Sequence, residues 1–148
     1  MTTILSSFHA CTATKRIVLL LIVTVPAIWG FAQQTYDIAY TNAEGITDTH
    51  SATPLDGSET RLNAGWYYVG SDISFDHTIY LQSGEVNIIL CDNMTMNIGT
   101  DAYRLKASCI DGGTNGSLTI YGQSGQSGQI NAYAIGTEAV VSVKNLNI

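Results

Sequence analysis

From Trp66 to Ile148 the chain is a succession of short β-branched and aromatic runs, WYYVG, ISF, TIYL, VNIIL, MTMNI, YRLKASCI, SLTIYG, QINAYAI, AVVSV and LNI, divided by clusters of Gly, Asn, Asp and Ser. Such runs are short and rich in side chains stiff at χ1, which favours pleated strands, and the clusters between them supply turns. The pattern predicts an all-β region of many short strands and no long helix.

Spacing narrows the choice of β architecture. Runs beginning near Thr78, Val86 and Met94 are separated by only two or three polar residues, as in Ser83-Gly84 and Cys91-Asp92-Asn93. Gaps of that length suit corners as well as hairpins. A coil of two or three such strands takes about 20–25 residues, within the period range of solenoids. Ile120 to Val143 fits one such coil, and Ile88 to Ile120 fits if Gly99 to Gly116 holds an inserted loop. The expected fold is a right-handed parallel β-helix, with a β-sandwich as the alternative. The final AVVSVKNLNI is still alternating, so the expectation is a truncated solenoid whose capping segment lies further on in a longer protein.

The tandem Gln-Ser-Gly in GSLTIYGQSGQSGQINA tests continuity. A linker separates regions of different texture, yet Leu118 and Ile120 before it and Ile130 and Ala132 after it alternate in the same way. Gly122, Gly125 and Gly128 can adopt positive φ, and Gln and Ser can bond backbone groups freed at a bend. A corner or protruding turn is therefore expected.

Upstream, Met1 to Ala32 has the form of a signal peptide: Lys15 and Arg16 precede the apolar run Ile17–Ala32, which ends on small residues. Cleavage is expected between Ala32 and Gln33. The run is shorter than a spanning helix needs and contains Pro26, so no stable membrane span is expected after cleavage; an uncleaved anchor is the alternative. The part from Gln33 onward keeps four basic residues against twelve acidic ones, a charge of −8. Such a surface repels phosphate backbones, so no nucleic-acid partner is expected. Export also permits a disulfide between Cys91 and Cys109, the two cysteines that remain; two buried free thiols fit the sequence equally. Residues 33–65 are polar and rich in Thr, Asp and Gly, an extended leader or N-terminal cap with one strand expected at Tyr36–Thr41.

GWYYVGSDISF, EVNIILCDNMTMNI and GSLTIYGQSGQSGQINA together resemble a module of secreted surface proteins common in Bacteroidota and some Firmicutes. The resemblance covers about Gly65 to Ile148. It implies a β-helix-like, pectin-lyase-type surface region, sometimes labelled carbohydrate-binding, and it brings no catalytic motif that maps onto this chain.

Catalysis on a pectinolytic β-helix needs carboxylates gathered around calcium or a glycosidic oxygen. Asp72, Asp76, Asp92, Asp101 and Asp111 are available, and Arg104-Leu105-Lys106 resembles the Arg-Ile-Lys of polygalacturonases. The companion motifs Asn-Thr-Asp, Asp-Asp and His-Gly are absent, and loop aspartates commonly bond their own backbone. His50 and His77 lie in polar, turn-like surroundings with no nucleophile elbow nearby. DGGTNGS at Asp111–Ser117 lacks the repeated pattern of a calcium turn. Trp66 and Tyr68, which alternation places on one side, could present a flat face to a sugar or plug the end of a β array. The chain is thus expected to be an exported, secreted or cell-surface scaffold or adhesin-like protein with no cofactor and no catalysis. Its partners would be glycans or other surface proteins. A carbohydrate-binding or polysaccharide-processing module is the alternative.

Overall fold

A computed structural model describes residues 34–135 and 140–148. The expected signal peptide and the Ala32/Gln33 cut lie outside the described residues. Among those described there are thirteen strands and no helix, and hence none long and apolar enough to cross a membrane.

The strands are β1 (Tyr36–Thr41), β2 (Thr47–Pro54), β3 (Arg61–Leu62), β4 (Gly65–Val69), β5 (Ile73–Phe75), β6 (Ile79–Leu81) and β7 (Gly84–Leu90). They continue with β8 (Thr95–Ile98), β9 (Ile110–Asp111), β10 (Gly116–Gly122), β11 (Gln129–Ala132), β12 (Val141–Ser142) and β13 (Asn145–Asn147). Three sheets result, in the orders β1-β2-β4-β7-β10-β13, β11-β8-β5 and β12-β9-β6-β3. Only β1 and β2 pair antiparallel; every other strand pair is parallel. From β4 onward the chain visits the first, second and third sheets in fixed rotation.

Register aligns like with like. Tyr67, Ile88 and Ile120 form one column of the first sheet, and Gly65, Val86, Leu118 and Leu146 another. Ile73, Met96 and Ile130, then Phe75, Ile98 and Ala132, do the same in the second sheet; Ile79, Ile110 and Val141 do so in the third. Apart from Gly65 and the exposed Leu146, these columns make one core, in which Val86, Ile88, Met96, Ile98 and Leu118 are wholly buried. Each such side chain contributes about 1.5–3 kcal/mol relative to exposure. Outward positions carry polar rungs instead, such as Asn131 Nδ2 donating to Asn97 Oδ1 at 3.1 Å.

The expected Ile88–Ile120 register is present, and the insertion it required lies between β8 and β9. There Thr100 and Tyr103 exchange backbone hydrogen bonds in a tight loop that leaves Tyr103 exposed. The next repeat differs from expectation: Leu118 pairs Leu146, a spacing of 28 residues, so Val143 is not the partner of Ile120. Val143 instead lies in the segment between β12 and β13 and packs on the core from there.

The Gln-Ser-Gly tandem is a corner between β10 and β11, held by Asp92 of the preceding corner. Its carboxylate accepts the backbone N–H groups of Gly125 at 2.9 Å and Ser127 at 3.3 Å. The glycines act differently from expectation. Positive φ falls on Gln126, at 50°, whereas Gly125 is needed for close approach: a Cβ there would sit 2.6 Å from Asp92 Oδ2. Asp72 plays a matching part in the preceding β4–β5 corner, accepting from Thr95 N at 2.8 Å.

Residues 33–65 depart furthest from the sequence reading. The strand at Tyr36–Thr41 is present, but it is one arm of a hairpin with β2, and β3 follows. Asn42 Oδ1 ties the turn by accepting from Glu44 N and Ile46 N, and Gly45 takes a φ of 77° there. Through β2 the hairpin joins β4, and its inner side packs on the outward face of β4, β7 and β10.

Candidate functional site

That covered face is where the candidate aromatic residues lie. Alternation along β4 sends Tyr67 and Val69 into the core and Trp66 and Tyr68 to the opposite side, as expected. They do not form an open platform. Trp66 stacks on His50 at 4.1 Å and on Tyr121 at 5.1 Å, within 15° of parallel in both cases, so two rings of its own chain already lie against the indole. Tyr40 of β1 touches both Trp66 and Tyr121, with centroids 5.1 and 4.8 Å apart. Tyr68 meets the edge of Tyr36 at 6.0 Å. Tyr40, Trp66, Tyr68 and Tyr121 form, with Ile38, Ala52 and Ile89, a second, smaller core outside the first sheet, while Tyr36 and His50 stand exposed at its margin. Burial raises the Tyr40, Tyr68 and Tyr121 phenols above their ordinary pKa, so all three stay neutral donors through the physiological range.

Beside the hairpin turn opens a cleft of about 1000 Å³. Thr41 and Asn42 line one wall, Thr119, Tyr121 and Asn147 the sheet side, and Gln123 and Gln126 the corner. Gln123 braces the arrangement: its Nε2 donates to Ala39 O at 2.9 Å and its Oε1 accepts from Asp92 N at 3.0 Å. Asn147 Nδ2 donates to Thr119 Oγ1 at 3.2 Å. One ring, several carboxamides and hydroxyls, and Glu85 at the margin form a surface that can hydrogen-bond a polyhydroxylated or amide-bearing partner. Next to it Asn87, in register with both Trp66 and Thr119, has a buried Oδ1 with no hydrogen-bond partner.

The aspartates singled out in the sequence are dispersed over the fold. Asp72 and Asp92 hold corner backbone N–H groups, Asp111 accepts from Gly113 N at 3.0 Å, Asp101 pairs with Arg104, and Asp76 with His77. Among the described residues no three of His, Cys, Asp and Glu cluster as metal ligands do. His50 contributes its ring to Trp66, and its Nδ1 lies 3.0 Å from Ser51 O.

Cys91 and Cys109 are free thiols. A disulfide was conceivable if they stacked in neighbouring coils, but they occupy different corners. Cys91 follows β7 and bonds backward to Val69 O, whereas Cys109 precedes β9 and bonds to Val140 O and Ile79 N. Burial raises both thiol pKa values and so suppresses the reactive thiolate.

Sequence reasoning singled out Trp66 and Tyr68, weighed Tyr121 as an equally ambiguous aromatic and read His50 as a solvated turn residue, but missed Tyr40, the packing of these rings on Trp66 and the cleft beside them. Nothing in the residues 36–54 taken alone announces that they return to a strand some 80 positions later; only the Tyr-x-x-x-Tyr of Tyr36 and Tyr40, with its odd aromatic content in a polar stretch, hinted at a covered face. No protein-family model matches the chain, and comparison with curated proteins and with solved structures returns no match.

Proposed function

We propose that this chain is an exported surface scaffold or adhesive element, built as a right-handed parallel β-helix, with no hydrolytic chemistry of its own. The observation that carries the reading is the fixed rotation of the chain through three parallel sheets with like side chains in register. Antiparallel pairing is the rule in a β-sandwich, and here it is confined to the hairpin. Stacked coils of this kind offer long polar faces over which a partner's contacts can be spread, so binding needs no single deep site. The dispersal of the aspartates among backbone-holding positions supports the absence of hydrolysis, because an acid and a base must share one geometry.

Carbohydrate binding is the second reading, favoured by the cleft of carboxamides and hydroxyls around Tyr121. One experiment separates the readings: the chain from Gln33 onward is applied to a glycan array and incubated with uronate-containing and neutral polysaccharides, with and without calcium. Scaffold function predicts no cleavage. Reproducible cleavage that vanishes in Asp72→Ala, Asp92→Ala, Asp101→Ala or Asp111→Ala, with the fold intact, overturns it. Array binding lost in Tyr121→Ala establishes the second reading instead.

A further inference from the structure

Between β2 and β3 the chain makes a self-contained loop, residues 56–60. The Asp56 carboxylate accepts from Ser58 N and Oγ, at 2.9 and 2.6 Å, and the Glu59 carboxylate accepts from Asp56 N and Gly57 N. With its side chains turned on itself, the loop is tied sideways to the next coil through two of its carbonyls. Thr60 O accepts from Tyr80 N at 3.0 Å, and Glu59 O lies 3.1 Å from His77 Nε2. The other ring nitrogen, His77 Nδ1, lies 2.8 Å from Asp76 Oδ1.

We propose that His77 is an acid-strengthened clasp, whose doubly protonated ring ties loop 56–60 to the turn before β6 and whose loss of one proton frees that tie. A backbone carbonyl has no proton to give, and neither has an ionised carboxylate. Each of the two contacts therefore needs an N–H from the ring, and neutral imidazole has only one. Only the imidazolium makes both bonds. When it loses a proton, the Asp76 carboxylate, as the charged acceptor, retains the remaining N–H, and the Nε2 lone pair is left facing the Glu59 carbonyl.

The charged groups facing the ring are Asp76, in its own turn, and Glu59, in the loop it holds; Phe75 meets the ring edge-on at 5.8 Å and carries no charge. The Asp76 hydrogen bond, the Glu59 carbonyl and the two negative charges raise the His77 pKa above its ordinary 6.5, against a smaller opposing effect of burial. The same pairing lowers the Asp76 pKa below its ordinary 3.8. A raised pKa means the contribution is fully present below pH 6.5 and is lost as pH rises through the folded value. Loop 56–60 is thus clasped in mild acid and released in alkali.

The test follows the ring and the loop together in the full chain. Long-range ¹H–¹⁵N spectra report the protonation of Nδ1 and Nε2, and hydrogen exchange reports the amides of Gly57 to Thr60, corrected for the intrinsic pH dependence of exchange. The expected result is a His77 midpoint above 6.5, with loop protection falling between pH 6 and pH 9 in step with the loss of the ring proton. His77→Gln, whose carboxamide nitrogen stands near the position of Nε2 without titrating, should hold a flat profile. Asp76→Asn, at a fully exposed position, should lower the His77 midpoint, and it keeps the test open should the Gln variant fail to fold. A midpoint at or below 6.5, no shift in Asp76→Asn, or the same loop response in His77→Gln overturns the clasp.

Discussion

Replacing Ile89 by alanine should cost about as much stability as replacing Ile88, although the two side chains point to opposite faces of one strand. In an ordinary half-solvated sheet the outward residue of such a pair is nearly free to change. Here both are wholly buried: Ile88 sits between Tyr67 and Ile120 in the main core, and Ile89 between Tyr68 and Tyr121 beneath the hairpin. Truncating a buried Ile to Ala removes its transfer energy and leaves a cavity, about 2–5 kcal/mol in total. With a urea dependence of about 2 kcal/mol per molar, each substitution should lower the unfolding midpoint by roughly 1–2.5 M at unchanged slope. Ile46→Ala, at an exposed position of the hairpin turn, should stay within about 0.5 kcal/mol of the parent. Ala52→Asp places a charge in the buried seam under the hairpin and should undock it. On that background the Ile89→Ala cost should largely disappear while the Ile88→Ala cost persists, a coupling that a double-mutant cycle reads directly. An Ile89→Ala cost below about 1 kcal/mol beside a normal Ile88→Ala would refute the docked hairpin.

Asp92→Ala should destabilise the chain by about 1.5–3 kcal/mol in urea unfolding, because the Gly125 and Ser127 N–H groups lose a charged acceptor; Asp92→Asn should recover part of it. Gly57→Ala should destabilise through two causes, since φ there is 93° and the added Cβ would meet Ser74 O at 2.7 Å; thermal unfolding beside Gly113→Ala, which shares positive φ but has open space, separates strain from collision. Mass spectrometry without reductant should find Cys91 and Cys109 as thiols, with Cys109 unlabelled by maleimide until the chain unfolds.

How far the sequence discloses such a molecule depends on whether the signal is local. Most strand positions from Trp66 onward were legible because the inward columns are mainly β-branched or aromatic, although YRLKASCI supplies only the first residue of β9; the 32-residue step from Ile88 to Ile120 could be counted once an insertion was allowed. The step from Leu118 to Leu146 was misjudged because Val143, apolar and correctly alternating, competes with Leu146 for the same place in the count. The hairpin escaped notice for a different reason. β2 reads Thr-Asp-Thr-His-Ser-Ala-Thr-Pro, with only Ala52 apolar inside it, since the face it covers is built from Trp66 and Tyr68 of β4, Ile89 of β7 and Tyr121 of β10. Asp72 and Asp92 likewise looked like ordinary turn residues. Their use, to hold the backbone of the following corner, depends on strand pairing between segments that no single window of the sequence contains. The cleft beside Tyr121 was invisible on the same grounds, for its walls are about 80 residues apart.

The reach of the Gln123 side chain to Ala39, across 84 positions, also sets an order of events. Neighbouring parallel strands of the first sheet pair across 21 to 32 residues, from Gly65 to Val86 and from Val86 to Leu118, so each can close soon after its chain has emerged. Closing a longer loop costs more entropy and waits longer for its partner. The β1–β2 hairpin has its own turn and can form at once, yet its seat needs Ile89 and Tyr121 side by side. It precedes the other described strands along the chain, yet its seat is complete only once β10 is in place. Until β10 has joined β7, Tyr121 is missing from that seat, and the sides of Tyr40 and Trp66 that it covers stay open to an early chaperone or a second nascent chain.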